Sequence, residues 1–198
     1  ALYAENRFPH VVHLAAQAFV PASIRDPRAT FDVNAAGTLH VLDAAQAQAE
    51  EGHPPRVLVV SSGDVYGAQP PEAYPLRETV APCPMNPYAA SKIGAEALAL
   101  AYARTYRLDA LVSRAFNHIG PGQDERFAVA AFAAQIARVA AGGDPLVMVG
   151  NLEASRDFLD VRDVCAAYVL LIEGGGEAGE IYNVFSGNWS TMGEGLRE

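Results

Sequence analysis

The chain has 198 residues, of which 51% are apolar, enough for one domain with a sizeable core. Its formal net charge of −9 excludes the basic stripe that nucleic acid would require, so no nucleic-acid partner is expected. No apolar run approaches the ~18 residues of a membrane span, no basic stretch leads into an apolar signal segment, and Cys83 and Cys165 form neither a disulfide framework nor a metal-ligand spacing; no membrane contact and no metal are expected, and the composition fits a reducing cytoplasm.

In chain order, residues 11–14 (Val-Val-His-Leu) read as a short buried strand. A helix opens at Asp26-Pro27, an N-cap followed by proline at the first helical position, and closes near Gly52. Residues 57–60 form a second buried strand, followed by an ordered proline-rich loop over 70–87. A helix runs from Asn86-Pro87 to about Arg107, and residues 110–112 are a strand. The next helix covers about 127–141 and stops at Gly142-Gly143; residues 145–149 are a further strand candidate. A helix over 161–173 ends at a glycine triplet, and residues 181–184 close the pattern as a strand. Strands alternating with helices predict an α/β fold, a doubly wound parallel sheet of Rossmann-like type whose ligands sit beyond the strands' C-terminal ends. No Gly-rich turn occurs near the start, so the chain is expected to be one partial domain, a fragment lacking an N-terminal Gly-rich βαβ unit and a shorter C-terminal piece.

Thirteen arginines carry nearly all the basic charge; the one lysine, Lys92, stands four residues after Tyr88. Two such residues share a helix face, and an ammonium beside a phenol favours the phenolate. The pair reads either as a tuned catalytic couple or as an exposed lysine on a solvated helix. Ser62 lies in Ser61-Ser62-Gly63-Asp64-Val65-Tyr66-Gly67, at the end of a buried strand where a hydroxyl could meet a substrate oxygen. Such turns also populate ordinary loops. Asn34 reads as a buried hydrogen-bonding residue, and Arg162 and Asp163 as structural residues opening a helix. His10 and His13 read as incidental rather than metal-binding.

Four ordered motifs carry a resemblance: Val12-His13-Leu14-Ala15-Ala16-Gln17, the Ser62 turn, Tyr88-x-x-x-Lys92, and Arg114-Ala115-Phe116-Asn117-His118-Ile119-Gly120-Pro121-Gly122-Gln123. Together they resemble the extended short-chain dehydrogenases/reductases that act on nucleotide-diphosphate sugars, in particular those of GDP-mannose metabolism. The resemblance implies a cofactor, NADP or NAD, and a GDP-hexose substrate. By the same resemblance, Tyr88 exchanges a proton with the sugar C4 oxygen, Lys92 holds the nicotinamide ribose and tunes Tyr88, and Ser62 orients the same oxygen. Leu14, Ala15, Ala16 and His118 would line the cofactor, and Asn117, Arg126 and Arg156 the substrate. Ala15 and Ala16 are also small enough merely to permit helix packing, and Arg156 could form a local ion pair with Asp157.

The reaction implied is reduction of GDP-4-keto-6-deoxy-mannose at C4. A GDP-mannose 4,6-dehydratase is the alternative, because Asp64 stands where related dehydratases carry an acid, usually glutamate. Aspartate is one methylene shorter, and the Ile119-Gly120-Pro121-Gly122-Gln123 stretch lacks the arginine pair of those dehydratases. A catalytically silent nucleotide-sugar or dinucleotide binder is the reading from another class. Residues 1–118 and 160–185 are expected to serve mainly the cofactor, and residues 119–159 and 186–198 mainly the substrate. The family's habit implies a homodimer through the alanine-rich helices, and the fragment alone is expected to be inactive.

Overall fold

The computed structural model describes residues 6–196. In chain order its elements are β1 (His10–His13), α1 (Val20–Arg25), α2 (Pro27–Phe31), α3 (Gly37–Glu50), β2 (Arg56–Val60), α4 (Pro87–Tyr106) and β3 (Asp109–Ala115). There follow β4 (Asn117–Ile119), α5 (Ala128–Ala140), β5 (Ser155–Asp160), α6 (Val161–Leu170), β6 (Ile181–Val184), β7 (Trp189–Thr191) and α7 (Met192–Gly195). They group into two compact units, Ala1–Ala115 with Cys165–Val184, and Phe116–Val164 with Phe185–Glu198.

The first unit is built on a parallel sheet of order β1-β2-β3-β6. Register places Val57 opposite Ala110, Leu58 opposite Leu111 and Val59 opposite Val112. Because side chains alternate across a sheet, Val57, Val59, Ala110 and Val112 share one face, where they pack with Leu42 and Ala45 of α3 and Ala95 and Ala99 of α4. Leu58 and Leu111, equally buried, face the other side, where the turn Leu171–Gly175 packs against β1 and β2. Each such aliphatic side chain contributes roughly 1.5–3 kcal/mol of burial. This is the doubly covered parallel sheet that strand and helix alternation predicts.

β1 departs from expectation. It ends the strand order, and its residues alternate between exposed and half-buried, with Val12 37% exposed. Val12, in register with Leu58, lies on the face that carries Leu58, and that face stays partly open over β1, which hydropathy alone does not reveal. The helix expected from Asp26 is real but interrupted. Asp26 caps Ala29 N at 3.0 Å, α2 runs into a π-helical turn at Asp32–Ala36, and α3 continues to Glu50. The separate α1 was not anticipated. Asn86 caps α4 by accepting from Ala89 N at 2.9 Å, and Arg107 ends that helix in the left-handed region, φ 58°, where glycine is the usual occupant.

The second unit holds a three-stranded sheet of order β4-β5-β7, with β4 parallel and β7 antiparallel to β5. β4 and β7 span three residues each, too few for a periodic signal. The strand expected at 145–149 does not form; the strand of this region is β5. The reason is local. Gln135 of α5 donates from Nε2 to Met148 O at 3.1 Å and accepts from Met148 N at 2.8 Å, which satisfies that backbone without a neighbouring strand. A cavity of about 270 Å³, lined by Phe132, Ile136, Phe158 and Met192 among others, opens beside α5.

Candidate active site

α4 and the C-terminal end of β2 assemble the chemistry in the first unit. Ser62 is extended, φ −151° and ψ 148°, and its hydroxyl accepts from Asp64 N at 3.2 Å, which starts a 3₁₀ turn over Gly63–Tyr66. Gly67 ends that turn at φ 61°, and a Cβ there would lie 1.9 Å from Cys83 O. Glycine is therefore obligatory at this point of the motif, for backbone reasons.

Tyr88 is 8% exposed, and Ser62 lies near enough to its phenol to act on its pKa. Lys92, 6% exposed, donates from Nζ to Val60 O at 2.8 Å. The solvated-lysine alternative is thus excluded by burial. Desolvation lowers the Lys92 amine to about 8, opposed by the charge of Glu96. The expected tuning of Tyr88 is reversed in direction. Burial pushes the phenol above its ordinary value, Ser62 pulls it down, and the nearby Asp64 carboxylate raises it. Desolvation outweighs the pull of Ser62, and the Asp64 charge acts in the same direction as burial, so the neutral phenol is the favoured form.

Leu14 and Ala15 lie exposed just beyond β1, and Ala16 is half-buried. His13 bonds Thr38 Oγ1 through Nε2 at 3.1 Å, and burial together with the Lys92 charge lowers its pKa. Asn34, buried as expected, donates to Ser91 Oγ at 2.8 Å and to Gln17 O at 3.1 Å and accepts from Gln17 N at 2.7 Å, which fixes the loop after β1 to α4.

The remaining predicted residues belong to the second unit. Asn117 is exposed and donates to Asp157 O at 3.4 Å; His118 is exposed, with Nδ1 2.9 Å from Phe116 O. Arg126 pairs with Asp124, Nη2 to Oδ2 2.9 Å. Arg156 does not pair with Asp157: its Nη1 donates to Ser155 O at 2.7 Å, while Asp157 accepts from Ser186 N and Gly187 N, each at 2.9 Å. Adjacent strand residues point to opposite faces, which separates the two charges. Gly120 of the same motif meets the side chain of Val161, where a Cβ would come within 2.4 Å of Cγ1.

Sequence reasoning missed a buried network beneath the site. Glu96, 3% exposed, accepts from Arg114 Nε at 2.9 Å and Nη2 at 2.7 Å, and from the hydroxyl of Ser61. Arg114 also lies over the Tyr66 ring, 4.8 Å from its centroid, and the Tyr66 hydroxyl donates to Asn183 Oδ1 at 2.7 Å. The signal was available: Glu96 follows Lys92 by four residues, so helix geometry places it on the same face.

Comparison with known proteins gives concordant relationships. The family profile described as GDP-mannose 4,6 dehydratase matches residues 1–197. A GDP-6-deoxy-D-mannose reductase from Pseudomonas aeruginosa is 48% identical over 178 residues, 89% of this chain and 57% of that protein. A GDP-mannose 4,6 dehydratase from Arabidopsis thaliana is 33% identical over 164 residues, 82% of this chain and 43% of that protein. The structure of RMD from Pseudomonas aeruginosa complexed with NADPH superposes with a TM-score of 0.90 at 45% identity, covering 96% of this chain and 64% of that one. A UDP-glucose 4-epimerase from Thermus thermophilus in complex with NAD gives a TM-score of 0.84 at 34% identity, covering 98% and 62%. The chain thus spans 57% of the length of the reductase it matches. The fold, the order of motifs and these relationships agree, and the chain belongs to the GDP-mannose 4,6 dehydratase family of extended short-chain dehydrogenases/reductases.

Proposed function

We propose that the protein reduces GDP-4-keto-6-deoxy-mannose at C4, using NADPH or NADH. The observation that carries this reading is the buried, neutral-favouring Tyr88 phenol, beside Ser62 and one helical turn from Lys92. A reductase needs a proton donor at the carbonyl oxygen, and a phenol held above its ordinary pKa is that donor at neutral pH. The relatives support the choice, since one is a GDP-6-deoxy-D-mannose reductase and one structure holds NADPH.

The residues fit a dinucleotide. Leu14 is 61% exposed beyond β1, beside the small Ala15 and Ala16, so an apolar ring can lie against the strand end. Lys92 uses one ammonium proton on Val60 O, which leaves donors for ribose hydroxyls. The nicotinamide, when bound, supplies the hydride to C4. Tyr88 gives its proton to the C4 oxygen, so the ketone becomes an alcohol and the phenolate left behind is stabilised by the Ser62 hydroxyl. Lys92 anchors the ribose and offsets the phenolate charge. Asn117, His118, Arg126 and Arg156 are assigned to the substrate and cofactor side; the exposed guanidinium of Arg156 suits a diphosphate. The first unit would serve the cofactor and the second the sugar nucleotide. A homodimer in the cytoplasm is part of the proposal. Among the described residues no helix is long and apolar enough to cross a membrane.

The test supplies full-length protein with GDP-4-keto-6-deoxy-mannose and NADPH and follows the nicotinamide absorbance. Sugar-dependent loss of that signal is expected. Conversion of GDP-mannose to the keto sugar without net cofactor consumption would sink the reductase and favour the dehydratase, a second reading that rests on Asp64, whose charge reaches Tyr88. Asp64→Asn then abolishes dehydration but spares reduction. Tight binding without either conversion marks a silent binder.

A further inference from the structure

Glu96 is a buried acid to which the proton transfer above gives no task. It lies two helical turns beyond Tyr88 and one beyond Lys92, so the three side chains share a face of α4. Each reaches a different point at the end of β2. Tyr88 lies near Ser62, Lys92 donates to Val60 O, and Ser61 donates to Glu96. Arg114 of β3 grips both carboxylate oxygens, at 2.9 and 2.7 Å, and is itself seated on the Tyr66 ring. A carboxylate held by a guanidinium fork and a hydroxyl has no freedom to turn away.

A mere brace does not require charge. Replacing a buried ion pair by apolar residues is often neutral or stabilising. What an apolar pair cannot supply is a fixed negative charge one turn from a buried amine. The groups that act on that amine are His13 on β1, the Val60 carbonyl on β2 and Glu96 on α4 itself; Tyr88 stands one turn back on the same helix, Arg114 on β3 is bound to Glu96, and Asp64 beyond β2 acts on Tyr88. Burial drives the amine toward its neutral form, and Glu96 is the charge that opposes it.

We infer that Glu96, clamped by Arg114 and Ser61, is a positioning residue of the proton-transfer site: it keeps Lys92 an ammonium and holds the Val60 to Ser62 strand end against α4. The inference rests on the reading of Tyr88 and Lys92 as the reacting pair, but its test needs no substrate. Lys92 is the sole lysine, so ¹³C-lysine labelling of this chain gives one side-chain signal set to titrate. In Glu96→Gln the Lys92 midpoint falls by about one unit or more, tenfold less ammonium at a pH above both midpoints. The double variant Glu96→Gln/Arg114→Met removes the stranded guanidinium and protects the fold. There too the midpoint falls, while the melting temperature stays within a few degrees of the parent. A Lys92 midpoint unmoved in both variants overturns the inference and reduces Glu96 to a brace. Absence of reductase turnover in the parent protein counts against the proposed reaction and leaves the lysine titration standing.

Discussion

The ammonium of Lys92 lies 2.8 Å from the carbonyl oxygen of Val60, inside a site where only 6% of the lysine is exposed. Burial holds its pKa near 8, below the ordinary 10.5, so between those values the unfolded chain binds the proton and the folded chain does not. Stability therefore rises with pH across that window, and below it the buried charge costs on the order of 3 kcal/mol. Denaturant titrations of the parent and Lys92→Met should show a stability difference that shrinks as pH goes from about 8 toward 10.5. A pH-independent difference would contradict the buried ammonium.

Tyr88→Phe preserves the ring that fills the space beside Ser62 while removing the proton. Loss of a general acid lowers kcat by roughly 10²–10⁴-fold, with KM for the sugar nucleotide little changed. Steady-state kinetics of the full-length variant checks this; a loss confined to KM would assign Tyr88 to binding alone.

Gly67→Ala places a methyl group 1.9 Å from Cys83 O at a backbone φ of 61°. Main-chain atoms cannot give way as a side-chain tip can, so destabilisation of about 2 kcal/mol or more is expected. Thermal unfolding measures it directly, and a melting temperature equal to the parent's would show that the turn is free to rearrange.

Asp157→Ala removes the carboxylate that accepts from Ser186 N and Gly187 N. Two charge-assisted bonds to backbone are lost, at a cost of about 1–3 kcal/mol. Hydrogen exchange should quicken at those two amides while β3 amides keep their protection. Unchanged exchange would mean that the turn holds itself.

The parallel sheet, the α4 boundaries and the tyrosine–lysine pair were legible because each rests on local rules: alternation, a capping asparagine before proline, and helical spacing. The reversal of Tyr88 tuning was not, because desolvation depends on what other segments bring over the ring. Arg156 and Asp157 looked like an ion pair only while they were neighbours in a string. Once residues 155–160 are a strand, their side chains point to opposite faces. Glu96 followed from the same spacing that singled out Lys92, yet its partner Arg114 lies on another strand, and only the fold joins them.

Gln135 carries a consequence for how this surface meets other chains. In an extended segment the N–H and C=O of one residue point the same way, and Gln135 occupies both groups of Met148. Leu146 and Met148 are 66% and 69% exposed, an apolar stretch that sequence alone would mark as adhesive. The amide of one glutamine blocks the backbone register through which a foreign strand would add, so the segment is greasy without being a template. Glutamate, with the same shape and no N–H, would leave the Met148 carbonyl facing a carboxylate and open that edge.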